Sequence, residues 1–450
     1  MPVLFYTTGC FARKQNDLYN NTAVLQTNPQ DPVHETDAFV QKKEALADYI
    51  RSMTLEEKIC QLFLVSVDGT EAGTSAILYD IPPGGYILFS RNFTGSAEQI
   101  IDLTGSVQQF YASLKEKNKY NIPPFFSIDH EGGEVNRLRG IASPLPSARS
   151  VARFLKPEEA EELYTYAAEQ IAALGIHVNF APLAETAGAH NKDFLSLRSF
   201  GTGEQVHMYG KAFLRAFTQS GVFCVLKHFP GNTNTDPHRQ LPILEGSKEK
   251  IDERYIASFI PLIEFLNGCT ENRYADFFSA DTDFFLPGGV LMSHAAVSAY
   301  DDKNPACFSF TVVNTLLKEK LGFNGLVFSD DLYMGALDSK DFLLADAVEK
   351  ALRSGIHMCM ISRSVYRNFI PVLAEKIEND SELKKLTDTA VQKVLEAKIF
   401  MALMRFESDY QNRIFLTASS VSDIYNPPLQ LSRFKAAKQK GDNLYYAHWK

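Results

Sequence analysis

In the stretch 225–241, VLKHFPGNTNTDPHRQL, an apolar run gives way to ionisable and turn-forming residues. Val222, Phe223, Cys224, Val225 and Leu226 have the character of a buried strand, Lys227 and His228 stand at its end, and Pro230-Gly231 stop it. Asn232, Thr233, Asn234 and Thr235 then read as a flexible polar loop, beyond which Asp236 and His238 stand two apart. A carboxylate that holds an imidazole by one nitrogen leaves the other free to trade protons near neutral pH. The same residues admit two further readings: Asp236 as a helix or turn cap beside a surface His238, or His228, Asp236 and His238 as ligands of zinc or iron. No second histidine pair or carboxylate-rich motif stands at another strand end to complete a metal shell, so neither metal nor cofactor is expected.

Such residues need a rigid frame. Apolar runs recur at 62–67, 85–90, 125–129, 177–182, 222–227, 289–294, 326–330 and 356–362, eight in all. Segments of helical periodicity separate them, at 97–117, 157–174, 204–220, 250–266, 310–321 and 340–354. Ahead of the first strand, 42–52 is helical in pattern, and Thr54 with Glu57 three residues on marks a capped helix start. Strands that are apolar throughout and alternate with helices predict a parallel sheet covered by helices. Eight such units predict an α/β fold built on a single (β/α)8 TIM-type barrel, whose strand ends carry the reactive groups. Asp129, Asn179, Lys227 with His228, His294 and Asp330 fall at those ends. The competing doubly wound sheet lacks a GxGxxG turn after its first strand. Helical stretches at 366–378 and 381–404 close the region. The division expected is an N-terminal extension over 1–40, the barrel over 41–405 and a polar tail over 406–450.

Bulk properties exclude some partners. A net charge of −9 without a long Lys/Arg run argues against nucleic acid or an anionic membrane surface. Six cysteines lack CxxC spacing, and several lie inside apolar runs, so neither a disulfide framework nor a zinc ribbon is expected. No stretch approaches the roughly 20 apolar residues of a membrane span. The opening MPVLFYTTGC resembles the tail end of a bacterial lipoprotein signal. With that signal, Cys10 carries a lipid anchor, 11–38 is a tether and the protein sits in the periplasm or cell envelope; without it the protein is cytoplasmic. A monomer is expected.

Three motifs in order identify a family. The run 127–139, SIDHEGGEVNRLR, then KHFPG at 227–231 with Asp236-Pro237-His238, then GFNGLVFSDDLYM at 322–334, closely resemble glycoside hydrolase family 3, in its bacterial β-N-acetylglucosaminidase (β-hexosaminidase) branch. The resemblance runs from about 53 to 406 and includes 89–92, 198–200 and 292–294. It implies Asp330 as the carboxylate nucleophile and His238, partnered by Asp236, as the acid/base in place of a second carboxylate. It implies sugar-hydroxyl contacts for Asp129 and Arg137, a pocket arginine in Arg198, and a pocket floor formed by Lys227 and His228. Asp331 is expected to cap the next turn.

The function implied is that of an exo-acting, retaining β-N-acetylglucosaminidase working on cell-wall fragments or chitin oligosaccharides through a glycosyl-aspartate. The alternatives are a related family 3 β-glycosidase or glycoside phosphorylase, or a non-catalytic sugar-binding surface protein on the same barrel. The chain departs from the family pattern at four places. Asn232 stands where a histidine is usual, at the head of a shortened loop to His238, Glu185 where an aspartate is usual, His357 where an aspartate is usual near the eighth strand, and 271–283 reads as an insertion. These leave room for a changed substrate.

Overall fold

The computed structural model describes residues 37–72, 81–115, 122–237, 239–268, 288–333, 344–361 and 364–449. Eight parallel strands form one sheet: Phe63–Ser66, Gly85–Leu88, Phe125–Ile128, Val178–Asn179, Phe223–Phe229, Gly288–Met292, Leu326–Ser329 and Cys359–Ile361. Each of the eight apolar runs supplies one. The lateral order is seventh, sixth, fifth, fourth, third, second, first, eighth. A parallel bridge between Phe328 and Met358 brings the two edges together, with Ser329 N donating to Met358 O and His357 N to Val327 O. The result is an α/β fold with a nearly closed eight-stranded parallel barrel, consistent with the TIM type.

Side-chain alternation along the strands sorts the core into two parts. Leu64, Ile87, Phe125, Val178, Phe223, Val225, Leu291, Leu326 and Phe328 belong to a buried cluster that fills the barrel. Their strand neighbours, Phe63, Val65, Tyr86, Phe126, Cys224, Leu226, Val290 and Val327, belong to the larger cluster under the helices. The helix Ser381–Phe400 lies beneath the N-terminal ends of the strands, where Val394 and Ala397, with Met401 just past its end, join the inner cluster and seal the floor. Cys60, Cys224, Cys307 and Cys359 are buried thiols. Thr54 and Glu57 form the expected capping box on the helix Leu55–Gln61.

The C-terminal part is more ordered than its polar composition suggests. Met404–Ser408 and Ile414–Ala418 form an antiparallel hairpin, and the 23-residue helix Pro427–Trp449 packs on the helices Ala97–Lys115 and Pro157–Ala173. Among the described residues no helix is long and apolar enough to cross a membrane. The segment with Cys10, the insertion at 271–283 and His238 lie outside the described residues.

Candidate functional site

The alternation that fills the barrel also aims its mouth. Asp129 continues the parity of Phe125 and Ser127, Lys227 that of Phe223 and Val225, and Asp330 that of Leu326 and Phe328, so all three face the interior at the C-terminal ends of their strands. Asn179 and His294 fall on the opposite parity and do different work. Asn179 pins the backbone of His130, accepting from its N–H at 2.9 Å and donating to its carbonyl at 3.0 Å. The His294 ring spans Cys307 Sγ at 3.2 Å and the Asp331 carbonyl at 2.9 Å, tying the sixth strand to the end of the seventh.

Charges meet where the third and fifth strands open. Lys227, 2% exposed, donates to Asp129 Oδ1 at 2.7 Å and sits 2.7 Å from Glu131 Oε1. Arg198 grips Glu131 with both prongs, Nε to Oε2 at 2.9 Å and Nη2 to Oε1 at 2.8 Å. Arg137 Nη2 stands 3.6 Å from Asp129 Oδ2, its guanidinium over the Phe89 ring at 5.7 Å. Burial by itself would raise both carboxyls. The Lys227 ammonium and its hydrogen bond, with help from Arg137, instead hold Asp129 below the ordinary carboxylate range. Arg198 and Lys227 do the same for Glu131 more strongly. The hairpin that carries Glu131 needs a glycine at position 132, where φ is +96° and a Cβ would lie 2.2 Å from the Pro146 carbonyl.

A third carboxylate, fully buried, organises the loop after the fifth strand. Glu185 accepts from His228 N at 3.2 Å, Asn232 N at 2.7 Å and Asn232 Nδ2 at 3.0 Å, and its Oε1 lies 3.0 Å from His228 Nδ1. With Nδ1 turned to the carboxylate, that edge of the ring is its donor edge, and Nε2 is the nitrogen left for proton exchange or a hydroxyl. Burial opposes the Glu185 charge, but the His228 and Asn232 hydrogen bonds keep its carboxyl below the usual range. Farther along, Asn234 receives Asp193 N at 2.9 Å and donates to the Ala189 carbonyl at 3.0 Å. The expectation of a flexible loop is corrected here: two asparagine amides strap 232–234 to neighbouring segments. Beyond the strap, the Asp236 carbonyl accepts from Arg239 and Gln240, and its carboxylate lies 3.6 Å from Arg239 Nε.

At the seventh strand the two adjacent aspartates separate in role. Asp330 Oδ1 accepts from Asp331 N at 2.8 Å, and Asp331 Oδ1 accepts from Tyr333 N at 3.0 Å, which makes Asp331 the cap of the following turn. Burial lowers His294 from the ordinary imidazole value, and the Asp330 carboxylate opposes that shift, as expected for near neighbours.

The structure therefore joins Asp129, Arg137, Arg198 and Lys227 in one network, places His228 beside them on Glu185, and sets Asp330 at the same mouth. Asp236 sits at the strapped loop's far end. Sequence reasoning left Glu131 unassigned although it lies inside the quoted run, and its signal was the arginine and lysine that need a buried counter-charge. Glu185 and Asn232, read separately as departures, hydrogen-bond to each other. His357, read as a departure near the eighth strand, lies on the opposite end of the barrel, where its Nδ1 accepts from Val327 N at 3.1 Å, so it has no access to a substrate at the mouth.

A model of the glycosyl hydrolase family 3 N-terminal domain matches residues 54–269 and 286–397. The chain is 27% identical over 346 residues to β-hexosaminidase A of Pseudoalteromonas piscicida, covering 71% of this chain and 53% of that protein, so it spans about half that relative's length. It is 28% identical over 344 residues to β-hexosaminidase LpqI of Mycobacterium tuberculosis, covering 75% of this chain and 80% of that one. A solved family 3 β-N-acetylglucosaminidase from Paenibacillus sp. superposes with a TM-score of 0.65 at 26% identity, covering 87% of this chain and 69% of the other. With a family match over most of the barrel and the charged residues of three motifs gathered at its mouth, the chain belongs to glycosyl hydrolase family 3.

Proposed function

We propose that the protein is an exo-acting, retaining β-N-acetylglucosaminidase that removes terminal β-linked N-acetylglucosamine from cell-wall fragments or chitin oligosaccharides. The observation that carries this reading is the buried Asp129–Lys227–Glu131–Arg198 network at the same strand-end mouth as Asp330. Such a network offers fixed charged donors and acceptors to the hydroxyls of one sugar ring, and charge-assisted hydrogen bonds are the stronger kind. β-Hexosaminidase relatives at similar identity support the choice of amino sugar.

In the proposed mechanism the Asp330 carboxylate attacks the anomeric carbon as the bond to the leaving oxygen breaks. His238, held by Asp236, gives that oxygen its proton. Water then attacks the glycosyl-aspartate, delivering a proton to His238 and restoring the Asp330 carboxylate, so two displacements retain the configuration. The Glu185 strap on Asn232 holds the root of the loop that leads to Asp236.

The test is release of nitrophenol from aryl N-acetylglucosaminide and aryl glucoside, with and without phosphate. Phosphate-independent release from the N-acetylglucosaminide, with free N-acetylglucosamine as product, is expected. Turnover only with phosphate would make the protein a phosphorylase, and no release from either substrate would leave a sugar-binding protein.

A further inference from the structure

The helix Pro427–Trp449 ends against the loop that follows the third strand, and a cleft of about 450 Å³ opens between them. That volume falls within the roughly 300–1,000 Å³ of small-ligand pockets. Asn136 and Arg139 line one wall, and Lys438, Asp442, Tyr445 and Tyr446 the other. The two loop residues flank Arg137, whose guanidinium lies beside Asp129 at the mouth. One short loop thus borders both the mouth and the cleft.

The chemistry of the walls suits a polyol with an apolar face. Tyr445 stacks nearly parallel on Trp449, 5.4 Å between centroids and 11° between planes, and Tyr446 meets Tyr445 edge-on. Tyr445 and Tyr446 thus present aromatic surface to the cleft in two orientations, with Tyr446 47% exposed. Aromatic rings of this kind bury C–H faces and keep a polar edge wet. Lys438 and Asp442 neutralise each other at 2.9 Å, which offers donors and acceptors together without net charge. Arg139 is fixed at the rim by donating Nη2 to the Gly133 carbonyl at 2.7 Å, one use of a group with five donors.

We infer that this cleft is an accessory subsite for further sugar units of a neutral β-linked oligosaccharide whose end occupies the mouth. The inference rests on the mouth being a sugar site, but it is testable without turnover. Trp449 is the chain's single tryptophan and stacks on Tyr445 of the cleft wall, so its emission reports on the cleft through that ring. The full chain carrying Asp330→Asn would be titrated with the β-1,4-linked tetramer of N-acetylglucosamine and with the monosaccharide. The tetramer should change the emission saturably and the monosaccharide should not. Tyr446→Ala and Asp442→Ala should each weaken the tetramer about fivefold or more, while Tyr446→Phe keeps the ring and binds as the parent does. In the active enzyme, Tyr446→Ala should lower the ratio of kcat/KM for the tetramer to that for the aryl N-acetylglucosaminide. Tetramer binding unchanged in both alanine variants, or emission unmoved by the tetramer, would overturn the subsite. An enzyme inactive on every aryl glycoside that still shows the tetramer response would instead sink the glycosidase reading and leave the cleft standing.

Discussion

The two ends of the barrel keep their buried polar groups by opposite means. At the mouth an ion network stays charged: Lys227 bridges Asp129 and Glu131 and Arg198 grips Glu131, each carboxyl held below its usual range by its cationic neighbours. On the floor burial pushes the polar groups toward their neutral forms. His177 Nδ1 accepts from Phe126 N at 3.1 Å, and burial pushes that imidazole down to about 4. His357 Nδ1 accepts from Val327 N, so its proton sits on Nε2, 3.1 Å from Lys318 Nζ. Burial pushes Lys318 down to about 8, and its Nζ donates to the Gly355 carbonyl at 2.6 Å. Lys398, deeper still, donates to Gln61 Oε1 and the Pro123 carbonyl, and burial drives it well below the ordinary lysine value. A buried group next to opposite charge can serve a substrate as an ion, whereas one with only neutral partners serves the fold.

Substitutions at the two ends should therefore fail differently. Asp330→Asn should cut kcat roughly ten-thousandfold, about 5 kcal/mol in barrier, with no loss of melting temperature; steady-state kinetics beside a thermal melt checks both halves. Lys227→Met strips the counter-charge from Asp129 and Glu131 and should cost about 3–5 kcal/mol of stability in urea unfolding, with activity lost as well. If the urea midpoint is unmoved, the network is not holding the mouth together.

Acid should act in two steps, on buried histidines first and on the mouth carboxyls after them. The unfolded chain binds protons at its histidines near 6.5, whereas His177 on the floor and His130 in the mouth hairpin are pushed to about 4 in the fold. These neutral histidines contribute fully above 6.5, and stability should fall as pH drops from there to about 4, by about 3 kcal/mol each. The depressed mouth carboxyls Asp129, Glu131 and Glu185 contribute above their unfolded values near 4, and that contribution is lost only as pH falls further. Stability that stays level between pH 6.5 and 4 would contradict the neutral state of these histidines. The smallest effect is expected from His177→Ala, which removes one floor hydrogen bond and should cost about 1–3 kcal/mol with kcat/KM unchanged. Its stability should also depend less steeply on pH in the same window.

The parts of this contrast were unequally legible in the sequence. All eight strands could be read because a strand buried on both faces is apolar throughout, and the alternation within each run already aims Asp129, Lys227 and Asp330 inward. Glu131 and Glu185 were harder. What they do is hold partners that are distant in sequence, Arg198 for one and Asn232 for the other, and no local pattern expresses such a pairing. The floor histidines carry no motif, since accepting one backbone N–H needs only the right place. The C-terminal helix was hidden for a different reason. Its buried residues are Phe434, Ala437 and Gly441, too few and too small for a strong apolar stripe. Prolines 427 and 428 open its first turn, where proline fits.

Whether the mouth does covalent chemistry at Asp330 can be read most directly by mass spectrometry after incubation with a slow fluorinated N-acetylglucosaminide. A sugar adduct on the peptide spanning 329–334, fragmented to Asp330, is the expected result. An adduct on Asp331, the residue whose carboxylate caps the turn at Tyr333, or a product of inverted configuration, would contradict the assignment.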